Sequence, residues 1–461
     1  MTTHIEASIF RAYDIRGVVG ETLNEAVATL IGRAIAAENQ ARGRDTIAVA
    51  RDGRLSGPSL LKALIQGLRE GGCHVVNVGQ VPTPVLYYAA STLPGVDSGV
   101  MVTGSHNPPD YNGFKIMLAG ETLSGDAIED LYRRIVAQEF SSGEGSFREE
   151  DISQAYLDRI VQDVSLARPL KVVVDTGNGV AGELAPQLMA LLGCEVVPLF
   201  TDIDGNFPNH HPDPGDPANM QDLMRVVAET QADLGLGFDG DGDRVGVVTP
   251  KGELIYPDRL MMAYAQDVLS RVPGARIIYD VKCSGNLAKL IAEHGGEPEM
   301  WQTGHSLIKA RMKATGAPLA GEMSGHIFFS ERWYGFDDGL YAAARMLEIL
   351  AKTPQDADSF FAQFPQDPST PEINIAVSDA KKFKVVERLV AEGDFGDGKR
   401  TTIDGLRVDY DDGWGLCRVS TTSPKLVTRY EGRTQEALER IQRVFENNIR
   451  QAMEKEGVST E

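Results

Sequence analysis

Cysteine is scarce, with four in 461 residues: Cys73, Cys194, Cys283 and Cys417. None sits at metal-ligand spacing, which excludes a zinc ribbon or a disulfide-stapled scaffold and suits reduced thiols in a cytoplasmic protein. No stretch approaches the roughly 18 apolar residues that a membrane helix needs, so no membrane partner is expected. The opening Met1-Thr-Thr-His-Ile-Glu-Ala7 lacks the basic and apolar regions of a signal peptide. Positive charge is also short: 45 Lys and Arg face 66 Asp and Glu, for a net charge of -21. That argues against a nucleic-acid partner, which requires a basic face. It does not exclude phosphorylated small molecules, because a local cluster of Arg, Lys and backbone N–H holds a phosphate inside an acidic protein. The three tryptophans, Trp301, Trp333 and Trp414, are read as packing residues rather than sugar platforms.

A large core is affordable, since 42% of the residues are hydrophobic, and the length suggests about three domains or slightly more. One pattern recurs three times. Thr46–Asp52 reads as a strand, Ser56-Gly57 opens a helix with Leu60, Leu61, Leu64, Ile65 and Leu68 on one face, and Gly71-Gly72 close it before Val75-Val76. Leu170–Asp175, a helix through Leu191, Gly193 and Val196-Val197 repeat the order. So do Ala275–Asp280, Ser284-Gly285, a helix through Ile291 and Gly295-Gly296. Strand, Asp-bearing turn, helix and strand make a βαβ unit, which implies a parallel sheet covered by helices. The period of about a hundred residues exceeds that of solenoid repeats, so three related α/β domains are expected. Asp52, Asp175 and Asp280 are assigned capping or turn roles.

Each repeat then runs into a strand that ends in a polar loop. These loops are Thr103-Gly-Ser-His-Asn-Pro108, Asp239-Gly-Asp-Gly-Asp-Arg244 and Gly321-Glu-Met-Ser-Gly-His326. Ligands of open α/β sheets sit beyond the carboxyl ends of strands, so the three loops are expected to face one cleft. Composition sets the boundaries at 1–150, 151–252, 253–366 and 367–461, the first after the Gly-rich Ser141–Ser146 and the last in the Pro-rich Pro365–Pro371. Beyond that linker, short strands at Ile373–Val377, Thr402–Val408, Gly415–Val419 and Leu426–Tyr430 alternate with helices near Ala380–Ala391 and Thr434–Glu454, a smaller α+β domain.

Ser105 stands on a stiff loop after the apolar Gly99–Val102, with Gly104 expected to permit the turn and Pro108-Pro109 to stop it. A hydroxyl presented this way suits a nucleophile or a phosphate carrier. Asp239, Asp241 and Asp243 alternate with glycines, so three carboxylates can converge; unneutralised they repel, and an all-oxygen set suits Mg²⁺. An EF-hand would need Gly and Glu where Arg244 and Pro250 stand, and the aspartates would repel the pyrophosphate of a dinucleotide at Gly235–Gly240. Glu322 and Ser324 can hold vicinal hydroxyls, and His326 can carry a proton. Arg418-Val-Ser-Thr-Thr422 has the make-up of a phosphate cradle. His210, His211, Asp213 and Asp216 lie among four prolines and are read as a rigid connection.

These loops, in this order, resemble the α-D-phosphohexomutase superfamily over the whole chain, and within it the bacterial phosphomannomutase/phosphoglucomutase branch. Phe10-Arg-Ala-Tyr-Asp-Ile-Arg-Gly17 and Trp301-Gln-Thr-Gly-His-Ser306 strengthen the resemblance. It implies three α/β domains with mixed, mostly parallel sheets and a C-terminal α+β domain around a central cleft. It implies Ser105 as a phosphoserine, with Asp239, Asp241, Asp243 and a phosphoserine oxygen on one Mg²⁺. Lys115 and His326 become the proton-transfer pair, with Arg244 near the phosphoserine. Glu322 and Ser324 would hold O3 and O4 of the sugar. Arg418, Ser420, Thr421 and Thr422 would grip the non-reacting phosphate, with Tyr13, Arg16, Lys282 and His305 lining the cleft. Thr421 and Ser423 stand where the family often has Gly or Asn and Glu, and Met323 resembles the mannose and glucose enzymes. The activity implied is reversible phosphate transfer between O1 and O6 of an aldohexose phosphate in a monomer, with glucose or mannose 1,6-bisphosphate as activator. A Mg²⁺-dependent sugar-phosphate phosphatase and a phosphoglucosamine mutase are the alternatives.

Overall fold

The computed structural model describes residues 4–421 and 423–458. Four sheets follow one another along the chain. In the first, Gly99–Val102, Thr46–Arg51, His74–Gln80 and Phe147–Glu149 run parallel, while Tyr111–Leu118 and Ile15–Val18 add an antiparallel edge. The second pairs Glu195–Leu199, Lys171–Asp175 and Leu234–Phe238 in parallel, then turns antiparallel through Val245–Val248 and Leu254–Ile255. The third repeats this in miniature: Glu297–Trp301, Arg276–Asp280 and Leu319–Gly321 are parallel and Ile327–Phe329 is antiparallel. Parallel strands need helical crossovers, which cover both faces, so apolar runs such as Val172-Val-Val174 are wholly buried.

The antiparallel strand at each edge positions the site. A parallel strand delivers a loop to the cleft, and the antiparallel partner carries the chain back along it. Asp239–Arg244 is thus the turn between Leu234–Phe238 and Val245–Val248. Glu322–His326 is the turn between Leu319–Gly321 and Ile327–Phe329. Lys115 lies on Tyr111–Leu118, opposite Met101 of the strand that leads to Ser105.

One continuous apolar core runs through the first three sheets, from Ala48 through Val172 and Leu260 to Leu347. The fourth sheet is entirely antiparallel, in the order Ile373–Ala376, Lys425–Gly432, Gly413–Val419, Leu406–Tyr410, Lys399–Thr401. It packs on Asp379–Glu392 and Gln435–Lys455 around a core of its own. Its ties to the third sheet are polar and apolar: Arg407 Nη1 donates to the carbonyls of Val281 (2.7 Å) and Cys283 (2.8 Å), Arg429 donates to that of Lys282, and Val281 packs with Trp414 and Leu416 in a small apolar cluster. No helix among the described residues is long and apolar enough to cross a membrane. The four cysteines are free thiols.

Two details differ from the sequence reading. The strand expected over Thr402–Val408 is a hairpin, Lys399–Thr401 and Leu406–Tyr410, turned at Gly405. The second sheet extends past position 252, because Leu254–Ile255 pairs with Val245–Val248.

Candidate active site

Ser105 is buried beyond the end of Gly99–Val102 and adopts a left-handed backbone, φ 48°. The residue that takes the unusual conformation is therefore the serine and not Gly104. Gly104 is required for space: a Cβ there would lie 2.4 Å from Cζ of Arg54. The Ser105 N–H donates to Thr103 Oγ1 (2.7 Å), and its hydroxyl donates to Asp239 Oδ2 (3.2 Å).

Asp239, Asp241 and Asp243 are fully buried, and each offers a carboxylate oxygen within 4.8 Å of the others. Lys115 Nζ donates to Asp241 Oδ2 (2.7 Å) and to Asp243 Oδ2, and Thr83 Oγ1 donates to Asp241 Oδ2 (2.5 Å). Oδ1 of Asp241 and Oδ1 of Asp243 are buried without a hydrogen-bond partner among the described residues. Burial, then repulsion from Asp243 and Asp241 against the pull of Arg244, pushes the Asp239 carboxyl up to about 8. Orphaned oxygens and a carboxyl strained toward its neutral form are the marks of a cation site, and the donor set is all oxygen. Burial opposes the charge on Lys115, but Asp241 and Asp243 outweigh it and hold the ammonium well above its ordinary pKa.

Arg244 closes the cluster. Its Nε donates to Asp239 Oδ2 (3.0 Å), and Nη1 to Asp213 Oδ1 (3.1 Å) and to the Ser324 carbonyl (3.2 Å). Nη2 has no partner among the described residues. Arg244 also makes an antiparallel backbone bridge to His326, which docks the third loop on the second. His326 Nδ1 lies 3.1 Å from Asp337 Oδ2 and 3.7 Å from Asp243 Oδ1. Burial disfavours the imidazolium, yet Asp243 and Asp337 outweigh it and raise its pKa. His305 stacks on His326 at 5.6 Å and is held well below the ordinary range by burial and by Lys309. Lys309 itself donates to Asp337 Oδ1 (2.8 Å).

Glu322 accepts a hydrogen bond from the Gly304 N–H, and burial pushes its carboxyl up to about 7. The hydroxyl of Ser324 is buried and unpartnered among the described residues. Tyr13 donates to the Thr303 carbonyl (2.7 Å), and Arg16 donates to Asp14 and to Asn107 of the serine loop. Lys282 pairs with Glu372 (2.7 Å), across to the fourth sheet. Asp404 joins the two ends of the cleft, accepting from the Thr303 N–H (3.0 Å) and from Arg418 Nε (2.9 Å). Ser420 sits in the same loop, where its carbonyl accepts from Lys382 (2.7 Å) and its hydroxyl from the Ser423 N–H (3.2 Å). Thr421 borders a cavity of about 400 Å³ that Tyr13, Thr303 and Asp404 also line. Thr422 lies outside the described residues.

The structure thus gathers Ser105, the three aspartates, Lys115, Arg244, His305 and His326 into one cluster. Arg418, Ser420 and Thr421 occupy the fourth sheet's side of the cleft, connected through Asp404, Thr303 and Tyr13. Sequence reasoning missed Arg54, Thr83, Asp337, Lys309 and Asp404. Arg54 follows a strand-ending Asp-Gly and Asp337 belongs to an acidic pair, and neither pattern is distinctive. Asp213, from the segment read as a rigid connection, pairs with Arg244, and His210 pairs with Asp175 (3.0 Å).

Residues 7–142 match phosphoglucomutase/phosphomannomutase alpha/beta/alpha domain I, 154–252 domain II, 256–367 domain III and 372–447 the C-terminal domain. The chain is 60% identical to the phosphomannomutase/phosphoglucomutase of Pseudomonas aeruginosa over 97% of its own length and 96% of the relative's. It is 54% identical to the phosphoglucomutase of Neisseria gonorrhoeae, covering 96% of each. A phosphoglucomutase/phosphomannomutase family protein from Burkholderia thailandensis superposes with a TM-score of 0.93 at 55% identity, covering 97% of this chain and 98% of that one. With all four stretches matched in order and the relatives spanned nearly end to end, the chain belongs to the phosphoglucomutase/phosphomannomutase family of phosphohexomutases.

Proposed function

We propose that the protein reversibly transfers phosphate between O1 and O6 of glucose and mannose phosphates, through a phosphorylated Ser105 and a hexose 1,6-bisphosphate. The observation that carries this reading is the shared oxygen at the cleft floor: Asp239 Oδ2 accepts from both Ser105 Oγ and Arg244 Nε. A serine poised on a cation site, beside a guanidinium whose Nη2 has no partner among the described residues, suits phosphoryl transfer, where catalysis is mainly positioning and charge stabilisation.

In the first half-reaction the bond between Ser105 Oγ and phosphorus breaks as the free hydroxyl of the substrate bonds to phosphorus. The hydroxyl proton passes to His326, whose Nδ1 faces Asp337 and leaves Nε2 for the substrate. Lys115, expected as a proton carrier, is kept an ammonium by Asp241 and Asp243 and instead joins Arg244 in offsetting charge on the transferring oxygens. The bisphosphate then turns end for end, and its other phosphate returns to Ser105 while His326 gives the proton back. Glu322 and Ser324 hold the ring hydroxyls, with Tyr13, Arg16, Lys282 and His305 bounding the cleft. Arg418, Ser420, Thr421 and Thr422 grip the phosphate at rest. Asp239, Asp241, Asp243 and a phosphoserine oxygen would hold one Mg²⁺, which when bound supplies positive charge against the phosphoryl group.

The proposed division is 1–150, 151–252, 253–366 and 367–461, supported by one sheet in each apart from the short Leu254–Ile255. The fourth part would swing about Pro365–Pro371 to admit and enclose the sugar. A cleft furnished by one chain supports a monomer, and free cysteines suit the cytoplasm.

The test is a rate comparison with mannose 1-phosphate, glucose 1-phosphate and glucosamine 1-phosphate, primed with a trace of bisphosphate. Formation of mannose and glucose 6-phosphates, abolished by chelation, is expected. Inorganic phosphate as the main product would make the protein a phosphatase, and a preference for the amino sugar would make it a phosphoglucosamine mutase.

A further inference from the structure

Beneath the serine loop lies a charged side chain that the mechanism does not use. Arg54 is fully buried, and its guanidinium has five N–H donors. Nε donates to Asp52 Oδ2 (3.2 Å). Nη1 donates to the carbonyls of Pro108 (2.5 Å) and Tyr111 (2.8 Å), and Nη2 to those of Ser105 (2.9 Å) and Asn107 (2.6 Å). All five donors are accounted for inside the protein, so none is left to grip a ligand. Asp52 binds the same loop a second time, accepting from Thr103 Oγ1 (2.7 Å), and Thr103 Oγ1 in turn accepts from the Ser105 N–H.

The guanidinium is packed as well as bonded. Gly104 lies against it with no room for a Cβ, and the ring of Phe207, from the second sheet's long connection, covers it at 5.2 Å. Left-handed backbone at a non-glycine residue persists only where its surroundings over-determine it. At Ser105 those surroundings are Arg54 on the carbonyl side and Thr103 on the amide side.

We propose that Arg54 is the positioning residue of the phosphate carrier: by tying four loop carbonyls to one plane it fixes Ser105 in the left-handed conformation that aims Oγ at the aspartate cluster. Phe207 makes this support dependent on the second sheet's connection, so the loop is set only when the two units are docked. A lysine cannot substitute, because three donors on a point charge do not span four carbonyls and a carboxylate. The inference rests on the reading of Ser105 as phosphate carrier.

The test uses the full-length protein. Arg54→Lys is expected to lower kcat by about a hundredfold while KM stays within about twofold, the pattern of a misplaced reacting group. Phosphate incorporation into Ser105 from glucose 1,6-bisphosphate, followed by intact-protein mass, should slow in parallel. Millimolar guanidinium should restore part of the rate to Arg54→Gly, which a merely weakened fold would not show. Wild-type kcat in Arg54→Lys, a change confined to KM, or no recovery with guanidinium overturns the assignment. Should neither Arg54 variant fold, Phe207→Leu carries the test: a fall in kcat of about fivefold at constant KM supports it, and an unchanged kcat overturns it. A wild type that never acquires phosphate on Ser105 defeats the functional reading too, whereas an active wild type matched by Arg54→Lys defeats this assignment alone.

Discussion

The hydroxyl of Ser105 donates to Oδ2 of Asp239 across 3.2 Å, although the two residues are 134 positions apart. The contact joins the first sheet to the second at the carboxyl ends of their central strands. It also sets where a phosphate on Ser105 would meet positive charge, since the same oxygen accepts from Arg244.

Removing that hydroxyl should stop turnover without emptying the cleft. Ser105→Ala is expected to lower kcat by about a thousandfold or more, on the scale of losing a nucleophile, while calorimetry still detects glucose 1-phosphate binding. Retained turnover would take Ser105 out of the chemistry.

The aspartate cluster makes a graded prediction. Asp241→Asn removes a buried carboxylate with an orphaned oxygen and should sharply raise the Mg²⁺ concentration needed for half-maximal activity. Thr83→Val keeps the shape but deletes the donor to Asp241, and a smaller rise of about tenfold is expected, as for other partners of metal ligands. Titration of activity with Mg²⁺ after chelation measures both, and identical wild-type and Thr83→Val curves would refute the second.

His210 offers a test of stability against pH. Burial works against its charge, but the hydrogen bond and ion pair with Asp175 prevail and raise its pKa above 6.5. A raised cation contributes stability that is complete below its unfolded pKa and is lost as pH rises through the folded one. His210→Gln should therefore cost about 2 kcal/mol near pH 6 and progressively less toward pH 9, read from urea melts at each pH. A penalty that grows with pH would contradict the ion-pair account.

Glu322 should govern sugar binding in a pH-dependent way. Its carboxyl is pushed up to about 7, and ionisation replaces its O–H donor with a second charged acceptor oxygen, strengthening its hold on hydroxyl donors. KM for glucose 1-phosphate is expected to fall between pH 6 and pH 8, by an amount of about threefold beyond that of Glu322→Gln. The variant, whose amide does not titrate, corrects for ionisation of the substrate phosphate. Parallel KM profiles would exclude Glu322 from hydroxyl recognition.

Much of the fold was legible because helical crossovers leave strong marks. The apolar run at Val172–Val174 and the helix of Leu60, Leu61 and Leu64 carry their periodicity openly. Lys115 is different. It sits in a strand, Tyr111–Leu118, whose polar start and internal Gly113 hide it from pattern reading, and only its resemblance to a known family marked it. Thr83 and Asp337 had no local signal, because what matters is a neighbour that the fold brings to each from elsewhere in the chain: Asp241 of the second unit for Thr83, and His326 and Lys309 of its own unit for Asp337. Arg54 was passed over for a related reason. Its value lies in backbone carbonyls, which every sequence has and none distinguishes.

The fourth sheet's separate core has a thermal consequence. With its own apolar interior, and tied to its neighbour by arginine-to-carbonyl bonds, carboxylate contacts and one small apolar patch, it is built to melt as an independent cooperative block. Warming should then produce two calorimetric transitions, and the earlier one should release the Arg418 end of the cleft while Ser105 and its aspartates remain assembled.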